Sequence, residues 1–209
     1  MKKRIKCIGM VLFAFAIALS MSTGVYAYRV LGGRFVLTNG LRMTYEIDYE
    51  TIQDEELIDI IHEAFDDWEW HLNDAVDGIN MGAYFSHFMY EGRVADIRIR
   101  AVPDVYVDGR IYPARTDLYD ANGRLVYGDD LANTNWVRAE IVIGYSQFNG
   151  LEPIEKKSTI THEIGHVLGL AHNTDNGTIM YDRVEGCTAY VPTLDDIEGV
   201  YSIYCDLLE

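Results

Sequence analysis

Apolar residues at Leu57, Ile60, Ile61, Ala64, Phe65, Trp68 and Leu72 recur at three- and four-residue steps. That spacing draws one apolar stripe along a helix and predicts a long amphipathic helix, with Thr51 and Asp54 at its start. His62 and His71 fall on it and are read as surface or core side chains rather than ligands. Elsewhere the period drops to two. Leu41–Tyr49, Ala83–Tyr90, Ala95–Val102 and Ala139–Tyr145 read as strands. Residues 28–40 are a short N-terminal segment or a first strand. The stretch 103–135, rich in Asp, Gly and Tyr, reads as a long loop region with a hairpin. Asp120-Ala121-Asn122-Gly123 inside it is a turn. Asp117, Asp120 and Asn122 are candidate Ca²⁺ ligands, with a turn of solvated carboxylates as the favoured reading. Strands first and helices later predict an α+β domain.

The first 27 residues follow a different pattern. Lys2, Lys3, Arg4 and Lys6 precede a short apolar run, Ile8–Leu19, and Val25-Tyr26-Ala27 offers small residues for cleavage. This is the layout of a signal peptide cut before Tyr28. The run is shorter than the ~20 residues a bilayer span needs, which argues against an anchor. Cys7 precedes the apolar core, so lipidation after cleavage is not expected.

Composition narrows the function. The 209 residues carry 17 Lys and Arg against 33 Asp and Glu, a net charge of −16. The leader holds four of the basic residues and no acidic ones, so its removal deepens the charge to −20. Nucleic acid and anionic membranes are poor partners for such a surface. Cys187 and Cys205 remain beyond the leader. Export makes a disulfide between them the expectation, with two free thiols as the alternative.

The chemistry is concentrated in residues 162–172, HEIGHVLGLAH. Glu155–Leu168 contains good helix formers and no proline. On a helix, His162 and His166 at i and i+4 stack on one face and can reach one Zn²⁺. Glu163 then projects beside them, near a water on the metal but outside the ligand set. Gly169 can adopt the left-handed conformation that stops a helix, turning the chain to present His172 as a third ligand. Three histidines leave a coordination position open, as catalytic zinc sites do.

HExxHxxGxxH is the signature of metzincin zinc metalloproteases, and this segment resembles it. Met180, in Thr178-Ile179-Met180-Tyr181, is similar to the clan's Met-turn. Leu194–Tyr201 resembles the last helix of matrixins, Ala64–Trp68 their first helix, and Ala95–Ile99 one of their strands. The resemblance spans about residues 40–205, so residues 41–209 are expected to form a minimal catalytic domain of the bacterial matrixin-like kind. It implies a twisted, mostly parallel sheet with an antiparallel edge strand, a long N-terminal helix, an active-site helix and a C-terminal helix. The implied activity is secreted zinc endopeptidase, hydrolysing internal peptide bonds with Glu163 activating a water at the zinc. The alternative is a secreted zinc-binding interaction module without proteolysis.

The resemblance has further consequences. Residues 88–161 contain no His, so the second, structural zinc of animal matrixins is not expected. Residues 28–45 contain neither Cys nor Asp, so no metal-blocking cysteine is visible there, and no accessory domain is expected after the last helix. Asp195 and Asp196 cap the helix after Thr193, and by resemblance one of them binds the mature N-terminal ammonium. A monomer binding its protein or peptide substrate in extended form is expected, along an edge strand at 110–114 or 124–128. The loop 181–192 should line the pocket after the cut, with Asp182 where the family usually has Pro. Asn176-Gly177-Thr178 matches a glycosylation sequon by pattern alone.

Overall fold

The computed structural model describes residues 28–74, 80–88 and 94–208. The leader, residues 1–27, and Tyr90 lie outside the described residues. The first strand and first helix form where the periodicities place them. Strand β1 (Arg42–Ile47) leads to helix α1 (Glu55–Asn73). Asp54, not Thr51, is the N-cap, and its side chain accepts from the Glu56 N–H. All seven stripe residues of α1 are buried.

Strands β2 (Tyr84–His87) and β3 (Ile97–Val102) follow. The region read as a long loop holds more structure than expected. It contains a two-stranded hairpin, β4 (Val105–Val107) and β5 (Arg110–Tyr112), then β6 (Ala114–Tyr119) and β7 (Leu125–Val126). Strand β8 (Arg138–Gly144) precedes helix α2 (Pro153–Val167), and helix α3 (Leu194–Tyr204) comes last.

Six strands make one sheet in the order β2-β1-β3-β8-β6-β7. The first four run parallel, and β6 and β7 are antiparallel to their neighbours. The α+β reading, with a mostly parallel sheet and an antiparallel edge, therefore holds. Burial alternates strictly along β3, as expected of a strand with one covered face. Residues 139–144 of β8 are all buried, because this strand sits mid-sheet with helix α2 and the hairpin against it.

Helices α1 and α2 pack against each other and against the sheet. Two fully buried tryptophans fix α2 by its backbone. Trp68 Nε1 donates to the Thr161 carbonyl, and Trp136 Nε1 to that of Val167. Both indoles need a buried partner for their N–H, and the helix supplies it. Glu155 closes the start of α2 by accepting from the Glu152 N–H. Residues 28–36 form no full strand, only isolated bridges at Val30 and Phe35. They lie as a strap, with Leu31 N donating to Gly169 O, Ala171 N to Arg29 O and Val36 N to Trp136 O. The strap sits so close that a side chain at Gly33 would collide with the Thr134 carbonyl.

The expected Cys187–Cys205 disulfide is not formed; both thiols are free. Cys187 Sγ faces the carbonyls of Thr178 and Ala189 within its own loop, whereas Cys205 is exposed at the end of α3. The turn at Asp120 forms as expected, its carboxylate accepting from the Asn122 and Arg124 backbone N–H groups. Asp117 is paired with Arg115. No candidate calcium cluster appears among the described residues at these positions. Among them, too, no helix is long and apolar enough to cross a membrane.

His62 and His71 sit on α1 as expected, away from the sequence motif. His62 Nδ1 lies 2.6 Å from the Tyr45 hydroxyl, and its ring meets His87 edge-on with centroids 4.9 Å apart. His87 Nε2 is buried without a hydrogen-bond partner. Burial, and to a lesser degree His62, hold the His87 pKa below its ordinary value. The unfolded chain then binds this proton more readily than the folded one, so stability contributed here is present above about pH 6.5 and is lost as pH falls. Urea midpoints measured between pH 7 and pH 5 should fall with acidification, and His87→Phe should flatten that slope.

Candidate metal centre and cleft

Helix α2 sets His162 and His166 one turn apart and ends at Val167. Gly169 takes φ +99°, a conformation open to glycine, and the chain turns back. The strap pairs with this turn on both sides of Leu170. His172 is thereby brought to the other two. His162 Nε2 and His166 Nε2 lie 3.1 Å apart, and His166 Nε2 and His172 Nε2 3.2 Å apart.

The protons of two of these rings follow from their surroundings. His162 Nδ1 lies 2.8 Å from the Ile179 carbonyl, and His166 Nδ1 2.9 Å from that of Leu170. A carbonyl can only accept, so each Nδ1 carries hydrogen and each neutral ring turns a bare Nε2 lone pair inward. Burial is the main reason that all three imidazoles are held below their ordinary pKa, His162 most strongly. Neutral rings are the ligating form. Lone pairs facing one another at this distance repel unless a cation lies between them. Ligands about 2.0–2.1 Å from a tetrahedral Zn²⁺ stand roughly 3.3–3.4 Å apart, close to the spacing seen. The three histidines are the one group of metal-ligand type found among the described residues.

Glu163 lies beside this convergence, lining the same cleft. Its carboxylate accepts from Thr116 Oγ1 at 2.7 Å, and the same hydroxyl lies 2.9 Å from the Glu163 carbonyl. Burial pushes the Glu163 pKa up to about 7, while the Thr116 hydrogen bond and His172 pull it down. A carboxylate tuned toward neutrality in a cleft is suited to taking and returning a proton.

Met180 is buried under the cluster. A Cβ at Gly165, between the two helical histidines, would overlap the Met180 sulfur, so the helix rides directly on this side chain. The Met180 turn is tied down at both ends. Asn173 N donates to Met180 O at 2.6 Å, and Asp196 accepts from Ile179 N at 3.0 Å. Asp196 also accepts from Thr193 N and Oγ1, closing the start of α3. Asp195 accepts from Asn173 Nδ2. Asp196 thus binds the Met180 turn directly, while Asp195 holds Asn173, whose backbone N–H bonds that turn. Near them, Tyr28 packs against α3 at Gly199.

The histidines lie in a cleft of about 1080 Å³. Strand β6 lines it, and among the described residues no strand pairs with the outer edge of Ala114–Asp117. Of the two candidate stretches, 110–114 reaches this edge only at Ala114, the rest lying mostly in β5, which pairs with β4, and 124–128 lies mostly in β7, which pairs with the far end of β6. Asp182 lines the cleft and faces His172. Sequence reasoning missed Thr116 and the carbonyls of Ile179 and Leu170. A threonine in a polar strand and backbone oxygens leave no signal in the chain.

The sequence is similar to those of known proteins. The matrixin family profile matches residues 119–205. The chain is 24% identical over 184 residues to metalloendoproteinase 1-MMP of Arabidopsis thaliana, covering 82% of this chain and 43% of that protein. It is 46% identical over 43 residues to interstitial collagenase of Bos taurus, covering 21% and 9%. It is 38% identical over 52 residues to metalloendoproteinase 5-MMP of Arabidopsis thaliana, covering 24% and 14%. The chain spans less than half the length of each of these relatives.

Titration of metal-free protein with Zn²⁺ should give one equivalent of tight binding. At a thousand-fold excess over Kd the fold should gain about 4 kcal/mol, read as a rise in unfolding midpoint. His162→Ala should abolish both effects.

Proposed function

We propose, from the premise that this chain is a matrixin-like metzincin, that it acts as a secreted zinc-dependent endopeptidase. One observation carries the reading: the Nε2 atoms of the three-histidine cluster converge in an open cleft, with a buried carboxylate hydrogen-bonded alongside. His162, His166 and His172 would hold the zinc, and zinc there would supply Lewis acidity, acidifying a water and polarising the scissile carbonyl. Glu163 takes the water's proton and returns it to the leaving amine. Thr116 holds the carboxylate in the orientation that both transfers need. Met180 keeps the floor apolar and fixes the height of α2. The substrate lies extended along the open edge of β6, adding a strand by main-chain hydrogen bonds.

Export would follow from residues 1–27 and would leave Tyr28 as the new N-terminus. The contact of Tyr28 with Gly199 supports a path for its ammonium toward Asp195, one helical turn earlier on α3.

The test is hydrolysis of an unstructured protein substrate by residues 28–209, with and without a chelator. Glu163→Ala should cut activity by about 10²–10⁴-fold while zinc content stays at one equivalent. Activity surviving that substitution or the chelator overturns the assignment. Thr116→Val should lower kcat by roughly 10-fold with little change in KM. It should also move the acidic limb of the pH–rate profile upward, because loss of this hydrogen bond lets the Glu163 pKa rise.

A further inference from the structure

A second pair of histidines meets at the β2 edge of the sheet. Strands β1 and β2 set Tyr45 directly opposite His87. Helix α1 brings His62 to both, its ring centroid 5.8 Å from that of Tyr45 and 4.9 Å from that of His87. His87 shares its side of β2 with Phe85, whose ring lies 5.6 Å from Phe65 of α1. Positions between a sheet and its covering helix ordinarily take apolar residues, so two imidazoles side by side there need a reason. Neither of them lines the cleft.

Their spacing matches that of the three-histidine cluster. There the ring centroids stand 4.7, 4.8 and 5.1 Å apart. The His62 and His87 rings fall within that range and meet edge to face at 72°. His87 Nε2 is buried and has no hydrogen-bond partner. An orphaned buried nitrogen is costly and marks the place of an ion or a water.

The surroundings suit a cation. His62 Nδ1 lies 2.6 Å from the Tyr45 hydroxyl. A phenol accepts as well as donates, so His62 can keep its hydrogen on Nδ1 and leave Nε2 bare, the arrangement in which an outer partner orients a ligating ring. Asp66 stands one turn beyond His62 on the same helix face. Its charge and that of Glu69 both bear on the Tyr45 hydroxyl. The two rings are only half-buried, so an ion can reach them from solvent.

We propose that His62 and His87 hold a second divalent ion of the zinc class, with water completing its coordination, and that this ion clips the edge strand β2 to helix α1. Imidazole is a ligand for zinc, whereas Ca²⁺ and Mg²⁺ want oxygen donors. Two protein ligands are one fewer than the cleft cluster offers, so this ion binds more weakly than the first. For His62 the proposal replaces its reading as a plain surface or core side chain. It owes nothing to the peptidase reading.

The test titrates Zn²⁺ onto the metal-free, full exported chain carrying His162→Ala/His172→Ala, which disables the cleft cluster. Calorimetry should still find one equivalent of Zn²⁺, and Ca²⁺ should give no signal. His62→Phe or His87→Phe in that background should remove the equivalent, with far-ultraviolet circular dichroism unchanged. His71→Phe, on the same helix but bonded to the Asp67 carbonyl, should leave it in place. No uptake by the parent, or uptake that survives His62→Phe/His87→Phe, overturns the proposal.

A second measurement keeps the cleft cluster intact. With one equivalent of Zn²⁺ already bound to the wild type, a further equivalent should shift the ring-nitrogen NMR signals of His62 and His87 and leave those of His71 where they were. Shifts spread over all three, or no further shift, overturn the proposal as well. Failure of the hydrolysis assay would sink the peptidase reading and leave both of these results standing.

Discussion

Lone pairs aimed at one point do not come together unaided. The three Nε2 atoms converge because the fold grips two of the rings from behind and the Gly169 turn delivers the third, and much of the architecture serves that arrangement. The Ile179 and Leu170 carbonyls hold the Nδ1 protons of His162 and His166. They fix both tautomer and ring angle, and each is itself held. Ile179 belongs to the Met180 turn, which Asp196 ties to α3. Leu170 belongs to the turn that the N-terminal strap pins. Carbonyls on two different loops thus do for the imidazoles what carboxylate partners do in many metal sites.

The helix that carries the first two histidines is fixed by unusual means. Its apolar face alone does not set its height, because Trp68 and Trp136 also take two of its carbonyls. Gly165 lets it settle on Met180, and Thr116 bonds both the side chain and the backbone of Glu163. A single strand, β6, therefore orients the buried carboxylate while leaving its outer edge open at Ala114–Asp117. In the proposed function, anchoring the base and receiving a peptide would fall to adjacent residues of the same strand.

How much of this was legible in the sequence depended on how local the signal was. Helix α1 was legible because seven apolar residues follow one period, and all seven are buried. The histidine cluster was legible because the i, i+4 spacing and a helix-stopping glycine fix it within eleven residues. Strand β6 was not. Its sequence, ARTDLY, shows no clean alternation, since Asp117 is buried by virtue of its pairing with Arg115 and Thr116 turns toward Glu163. The Cys187–Cys205 expectation failed for a related reason. Compartment and pair count say nothing of where two thiols point, and here each faces carbonyls of its own neighbourhood. Asp196 shows that a helix cap read from sequence can also serve as a clamp on a distant turn.

The strap at residues 28–36 has a consequence for biosynthesis. Its partners are Gly169, Ala171 and Trp136, and Arg34 pairs with Asp206, 172 positions further on. Contacts so distant are slow to close. A chain emerging N-terminus first carries this segment unpartnered until Trp136, Gly169 and Ala171 have followed it out of the ribosome. The turn that delivers His172 is therefore closed by a contact that no locally folding segment can make alone.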